Sequence, residues 1–210
     1  MLKNKKLLAL TSAITLLPVL AGVFLWQKLP QSVPIHWNAA GEVDGYGSRG
    51  MLLGLFGFLL VMHWLCIGAC ALDPKSRNLE GKAAALVLWI IPAISLVMGV
   101  LVYSAALGKA LSVNTVLPVF MGLLFVFIGN YLPKCRRNYT VGIKVPWALE
   151  NEENWNATHR FAGRIWVAGG LAVMATALLP TVWVMLGVLM FMALAPMLYS
   201  YLYYKKHAEN

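Results

Sequence analysis

Six apolar stretches, separated by polar ones, set the pattern of this chain. The first runs from Leu7 to Trp26, behind Lys3, Lys5 and Lys6. It is long enough to cross ~30 Å of hydrocarbon. It also exceeds the roughly 7–15 apolar residues of a secretory leader, and no clear small-x-small cleavage site follows, so it reads as a retained first span. Windows at about 51–72, 83–107, 111–132 and 181–204 predict four more spans. A shorter window at about 165–179 predicts another, on a helix that begins before it. Pro18, Pro92, Pro118 and Pro196 fall inside spans, where neighbouring groups can satisfy the freed carbonyls. Pro180 predicts the turn between the last two spans.

Two polar interruptions are longer than connectors need to be. In residues 27–50, Val33–Trp37 predicts a short extended piece. Asn38, Gly41, Asp44 and Gly45 are turn formers, because Asn, Asp and Gly tolerate left-handed backbone. This loop is expected to be a small structured cap and not a helix. Residues 130–164 gather Asn130, Asn138, Asn154, Asn156 and His159 beside a membrane span, where unpartnered polar groups are costly.

Composition agrees with the spans. Hydrophobic residues make up 60 % and charged ones 12 %, against about 45–50 % and 25 % in soluble domains. The fold expected is an all-α membrane protein: a six-transmembrane-helix bundle with a small extracytoplasmic turn-rich loop and a longer cytoplasmic loop. By length it forms a single six-span membrane domain over residues 1–210. With the N-terminus inside, 14 of the 17 Lys and Arg residues fall on the cytoplasmic side, leaving only Lys28, Arg49 and Lys109 outside. That bias sets the orientation in short loops. Both termini and residues 133–164 are then cytoplasmic, and residues 27–50 extracytoplasmic. The net charge of +9 is explained by this bias, with no folded basic domain to bind nucleic acid. Cys66 and Cys70 share one apolar span, which argues against a disulfide framework.

Each candidate site has a plain reading beside a functional one. Residues 154–166 predict a helix capped by Asn151 or Asn154, with Glu152 and Glu153 near its positive end. At 100° per residue, Trp155, His159, Ala162 and Trp166 share one narrow face and Arg160 and Arg164 take the opposite one, towards lipid phosphates or cytoplasm. One reading is an interfacial helix anchored by its Trp. The other is a polar site at the inner mouth of the bundle, built by His159, Trp155, Asn130 and Asn138, with His159 able to titrate near neutral pH. In the first loop, His36, Trp37 and Asn38 with Gly41, Asp44, Gly45 and Tyr46 form either a self-satisfying turn or a recognition surface. His63, Cys66 and Cys70 lie on one face, about 18 Å into the second span. An interhelical hydrogen bond from His63 is favoured there over a metal site. No cofactor is implied. The chain has no H-E-x-x-H, G-x-S-x-G or phosphate-binding Gly-Lys-Ser/Thr loop, and no ionised side chain deep in a span. An enzyme is therefore not expected, and an ion-coupled transporter is disfavoured.

Two stretches resemble the SdpI family of bacterial membrane immunity proteins. One is Leu29-Pro30, Val33-Pro34-Ile35-His36-Trp37-Asn38, Gly41 and Asp44-Gly45-Tyr46-Gly47, similar to an N-terminal module of such proteins. The other is Gly129-Asn130, Asn138, Gly142-Ile143-Lys144, Pro146-Trp147, Trp155, His159-Arg160 and Gly163, similar to the C-terminal signature. The resemblance implies a protein of the bacterial cytoplasmic membrane that protects against a secreted, membrane-active peptide toxin. It also implies a receptor role, in which the toxin-bound protein holds a soluble transcriptional repressor at the membrane. The cap from His36 to Tyr46 would engage the peptide, and the 130–164 stretch would couple or report that state. The alternative is a small transporter or lipid- or peptide-handling protein, gated by the polar 130–164 region.

Overall fold

The computed structural model of the chain describes residues 4–79, 81–109, 111–179 and 182–208. The turn expected at Pro180 and the basic residue Lys3 lie outside the described residues. In order, the elements are α1 (Lys5–Phe24), β1 (Ser32–Trp37), β2 (Val43–Ser48), α2 (Arg49–Leu72), α3 (Lys82–Ala106), α4 (Val113–Tyr131), α5 (Pro146–Glu150), α6 (Glu152–Ala175) and α7 (Val182–Ala208). Six of these, α1, α2, α3, α4, α6 and α7, are long and apolar enough to cross a membrane, one for each apolar window.

Two elements extend beyond the hydrophobic pattern. α6 starts at Glu152, well ahead of its apolar window, because its first turns are amphipathic: Asn154, Trp155, Thr158 and His159 are buried while Asn156 and Arg160 are exposed. Asn151 caps it, accepting the Glu153 and Asn154 N–H groups at 2.8 and 3.0 Å. The first loop holds the expected extended piece and also a second strand, so the cap is an antiparallel hairpin that leads directly into α2.

The chain forms two compact units. One comprises Leu2–Gly68 and Ala85–Val116. Its core joins Leu29 and Val33 to Leu52, Phe56, Val102 and Tyr103. Three of its buried polar side chains are bonded between helices, as hydrocarbon surroundings favour. His63 Nε2 meets Thr11 Oγ1 at 3.1 Å, Ser95 donates to the Thr15 carbonyl at 2.9 Å, and Tyr103 donates to the Pro18 carbonyl at 2.6 Å. The expected interhelical bond from His63 is therefore made. Cys66 is half-buried and Cys70 buried.

The other unit comprises Ala69–Ala84 and Leu117–Asn210. Here α4 and α6 meet glycine to glycine. A β-carbon at Gly122 would fall within 3.0 Å of the Gly170 carbonyl oxygen, and one at Gly163 within 3.0 Å of that of Gly129. Gly122 and Gly129, like Gly163 and Gly170, are two helical turns apart, so both contacts lie on one seam. Across α6 and α7, Asn154 Nδ2 donates to the Ser200 carbonyl at 3.0 Å, and Asn154 Oδ1 accepts the Ser200 and Thr158 hydroxyls at 2.8 and 2.9 Å. Farther along, Trp166 donates to the Met192 carbonyl at 3.0 Å.

Candidate functional site

The sequence candidates fall into two groups, one in each unit. In the hairpin, Asn38 makes a self-contained turn. Its Oδ1 accepts the Ala40 and Glu42 N–H groups at 2.9 and 3.0 Å, and Gly41, at φ +80°, closes the turn. Asn114 Nδ2 donates to the Ala40 carbonyl at 2.8 Å. Trp37 is half-buried against the unit's apolar core. Trp37, Asn38 and Gly41 therefore build the cap, and of the candidate side chains the hairpin displays His36, Asp44 and Tyr46. His36 Nδ1 and Asp44 Oδ1 are 2.5 Å apart in the open. Gly45 leaves room for His36 beside it, since a β-carbon at Gly45 would collide with the His36 Cβ.

The second group is built by the loop between α4 and α6. Asn138 is fully buried and folds the loop around itself. Its Oδ1 accepts the Thr140 and Val141 N–H groups at 2.9 and 2.6 Å, and its Nδ2 donates to the Arg136 and Val141 carbonyls, each at 2.9 Å. The loop then closes over two buried side chains of α6. Trp155 Nε1 donates to the Cys135 carbonyl at 2.7 Å. The His159 ring stacks on that of Trp155 at 4.0 Å between centroids. His159 Nε2 accepts the Ile143 N–H at 3.1 Å, while Nδ1 faces the Trp155 carbonyl at 2.8 Å. An acceptor at Nε2 and a carbonyl at Nδ1 together select the neutral tautomer with its proton on Nδ1. Protonating Nε2 would set one N–H against another. His159 is thus a fixed hydrogen-bonding post and not the titrating group at an open mouth that its position in the sequence suggested.

Gly142 has φ +112°, and a β-carbon there would meet both His159 and Trp155. Only glycine lets the backbone lie on the stacked rings. Pro146 starts α5 at a position where its missing N–H costs nothing. Arg137 donates to the Leu149 and Glu150 carbonyls at the other end of α5. Trp147 contacts Tyr201 and Tyr204 of α7, and its indole N–H is buried without a partner among the described residues. Gly163 belongs to the α4–α6 seam, and Arg160 is exposed, as is Arg164. Asn130 is exposed on α4 and takes no part in the cluster. An exposed helical position cannot join the buried group around His159, whatever its spacing in the sequence.

One residue of this site was not singled out by sequence reasoning. Asp73, just past α2, is buried and accepts three bonds: from the Lys75 N–H at 2.7 Å, the Tyr139 N–H at 2.8 Å and the Thr140 hydroxyl at 2.6 Å. Burial pushes its carboxyl pKa up. The Thr140 hydroxyl and the backbone N–H groups outweigh that effect and hold it below the ordinary value. The available signal was an acid next to Pro74 at the end of an apolar span, in a chain with only eight acids. Cys135 lies beneath the loop, and burial pushes its thiol up, more than the Asn138 amide lowers it. The cluster is therefore a latch held by internal hydrogen bonds around the neutral His159 ring, with the Asp73 carboxylate and the Cys135 thiol buried in it. Lys134, Arg136, Tyr139 and Lys144 are exposed around it.

Residues 134–200, which hold this loop, α5, α6 and most of α7, match the SdpI/YfhL protein family. Residues 13–62, which hold most of α1, the hairpin and the first part of α2, match a domain of unknown function, DUF1648. The chain is 22 % identical over 201 residues to the immunity protein SdpI of Bacillus subtilis (strain 168), covering 92 % of this chain and 93 % of that relative. No solved structure matches it. This multi-pass membrane chain is thus similar to the SdpI/YfhL protein family across the latch, and to an immunity protein over most of its length.

Proposed function

We propose that this chain is a membrane immunity protein that protects its cell from a secreted, membrane-active peptide toxin by stoichiometric binding. The observation that carries the reading is the Trp155–His159 latch, built within the segment that matches the family. In this reading the hairpin faces outward, and His36, Asp44 and Tyr46, which it exposes, engage the peptide together with the neighbouring span ends. Both termini and the latch face the cytoplasm of a bacterial cell. Arg160 and Arg164 meet lipid headgroups, and the basic rim of Lys134, Arg136 and Lys144 holds a soluble transcriptional repressor when toxin is bound. A transporter gated at Asn130 and His159 fits less well, because Asn130 is exposed away from the cluster and both ring nitrogens of His159 are engaged.

The test is toxin challenge of sensitive cells expressing the protein, followed with a membrane-potential dye beside empty vector. Wild type should hold its potential. A His36→Ala/Tyr46→Ala variant at equal membrane level should lose it, since these exposed side chains contribute little to folding. A wild type present at full level that collapses like vector with each secreted peptide toxin tried overturns the reading.

A further inference from the structure

Asp73 lies between the two segments that match known families and inside neither. It nevertheless makes the principal tie between the end of α2 and the latch loop. Its two carboxylate oxygens divide the work. Oδ1 accepts the Lys75 N–H and shapes its own turn, while Oδ2 accepts the Tyr139 N–H and the Thr140 hydroxyl. A second tie runs parallel to it, from Asn78 Nδ2 to the Arg137 carbonyl at 2.6 Å. Lys75 Nζ lies over the Tyr139 ring, 5.4 Å from its centroid. A buried carboxylate is retained only where its acceptor sites are filled, and here Oδ1 is filled from its own turn and Oδ2 from the one stretch, residues 138–141, that Asn138 has already folded. Cys135 lies under the same stretch, with its Sγ 3.6 Å from the Val141 carbonyl.

We propose that Asp73 is the positioning residue of the latch: it fastens the 138–141 turn to the end of α2 through Thr140 and Tyr139, and protection requires that fastening. The second clause rests on the immunity reading; the first does not. Two measurements separate them. In the purified full chain, maleimide labelling of Cys135, read by mass spectrometry of its peptide, reports opening of the turn. Asp73→Ala should label at least about tenfold faster than wild type, because two charge-assisted bonds to the loop are lost. Thr140→Val, which removes the hydroxyl's bond to Asp73 and its longer contact with the Ala69 carbonyl at 3.4 Å and keeps the shape, should label several-fold faster, and Thr140→Ser should match wild type. The Asp73→Ala/Thr140→Val double variant should label more slowly than the product of the two single effects, because both changes break the Asp73–Thr140 bond. Wild-type labelling in Asp73→Ala, or independent effects in the double variant, overturns the fastening. If Asp73→Ala does not accumulate, the contrast between Thr140→Val and Thr140→Ser decides alone. In toxin-challenged cells, Thr140→Val at equal membrane level should protect less than Thr140→Ser. Equal protection by these two, with wild type protecting, overturns the requirement for protection and leaves the fastening standing. A wild type that fails to protect removes the immunity reading instead.

Discussion

Gly142 lies so close over His159 that a β-carbon on it would collide with Nε2, the nitrogen that accepts the Ile143 N–H. The two positions therefore share one volume. His159→Ala leaves a buried N–H unpaired and a hole beneath the loop, at a cost of about 2–4 kcal/mol. Gly142→Ala forces a side chain into left-handed backbone and against the ring, at a cost of about 2 kcal/mol or more. In the double variant the new methyl group can enter the space vacated by the imidazole, so the combined loss should fall short of the sum. Thermal unfolding in detergent checks this, and additive losses would show that the two residues do not share that space.

The two tryptophans of the latch should respond differently to loss of the indole N–H. Trp155→Phe removes the donor to the Cys135 carbonyl in a fully buried place and should cost about 1–3 kcal/mol. Trp147→Phe removes an N–H that is buried without a partner and keeps a ring against Tyr201 and Tyr204, so it should be close to neutral. Equal destabilisation in an unfolding titration would contradict these assignments.

The α4–α6 seam predicts a contrast among glycines. Gly170→Ala and Gly129→Ala each place a methyl group against facing backbone, and each should lower the unfolding temperature by several degrees. Gly187→Ala, on α7 with open space around it, should leave the temperature unchanged or raise it. Differential scanning fluorimetry of the three variants is sufficient, and a tolerant Gly170 would mean that the helices part easily there.

Two groups outside the spans give pH dependences of opposite kind. The Asp73 carboxyl is held below its ordinary value of 3.8 in the folded chain, so an unfolded or opened loop takes up the proton first. Its contribution is complete above that ordinary value and is lost as pH falls through the lower, folded one. Protection of the Tyr139 amide, its exchange relative to an unstructured amide at the same pH, should therefore stay high at pH 5 and fall on further acidification, with Asp73→Asn flattening the profile. Cys135 is shifted the other way, above its ordinary value of 9.0, so its thiolate appears only at more alkaline pH. Iodoacetamide should react with it in folded protein far more slowly than in unfolded protein at pH 8.

Local pattern made much of this protein legible. The six spans follow from uninterrupted apolar length, which no fold-specific information can alter much. The buried face of α6 follows from helical spacing, with Trp155, His159 and Ala162 inside and Arg160 and Arg164 outside. The second hairpin strand was hidden because Asp44-Gly45-Tyr46-Gly47 has the composition of a turn, and only pairing with Val33–Trp37 makes it extended. Asn130 has the chemistry of a site residue but is exposed and outside the latch.

By itself, then, the sequence determined where the six long helices run and which side of α6 is buried, and narrowed its cap to Asn151 or Asn154, because these depend on neighbours within a turn or two. Tertiary structure alone decided the partners: Asp73 on Tyr139, 66 residues away, Ile143 on His159, and the glycines of α4 on those of α6. Those contacts exist only where distant loops and helices meet, and a single buried donor or acceptor carries no mark in the sequence of the group that will satisfy it.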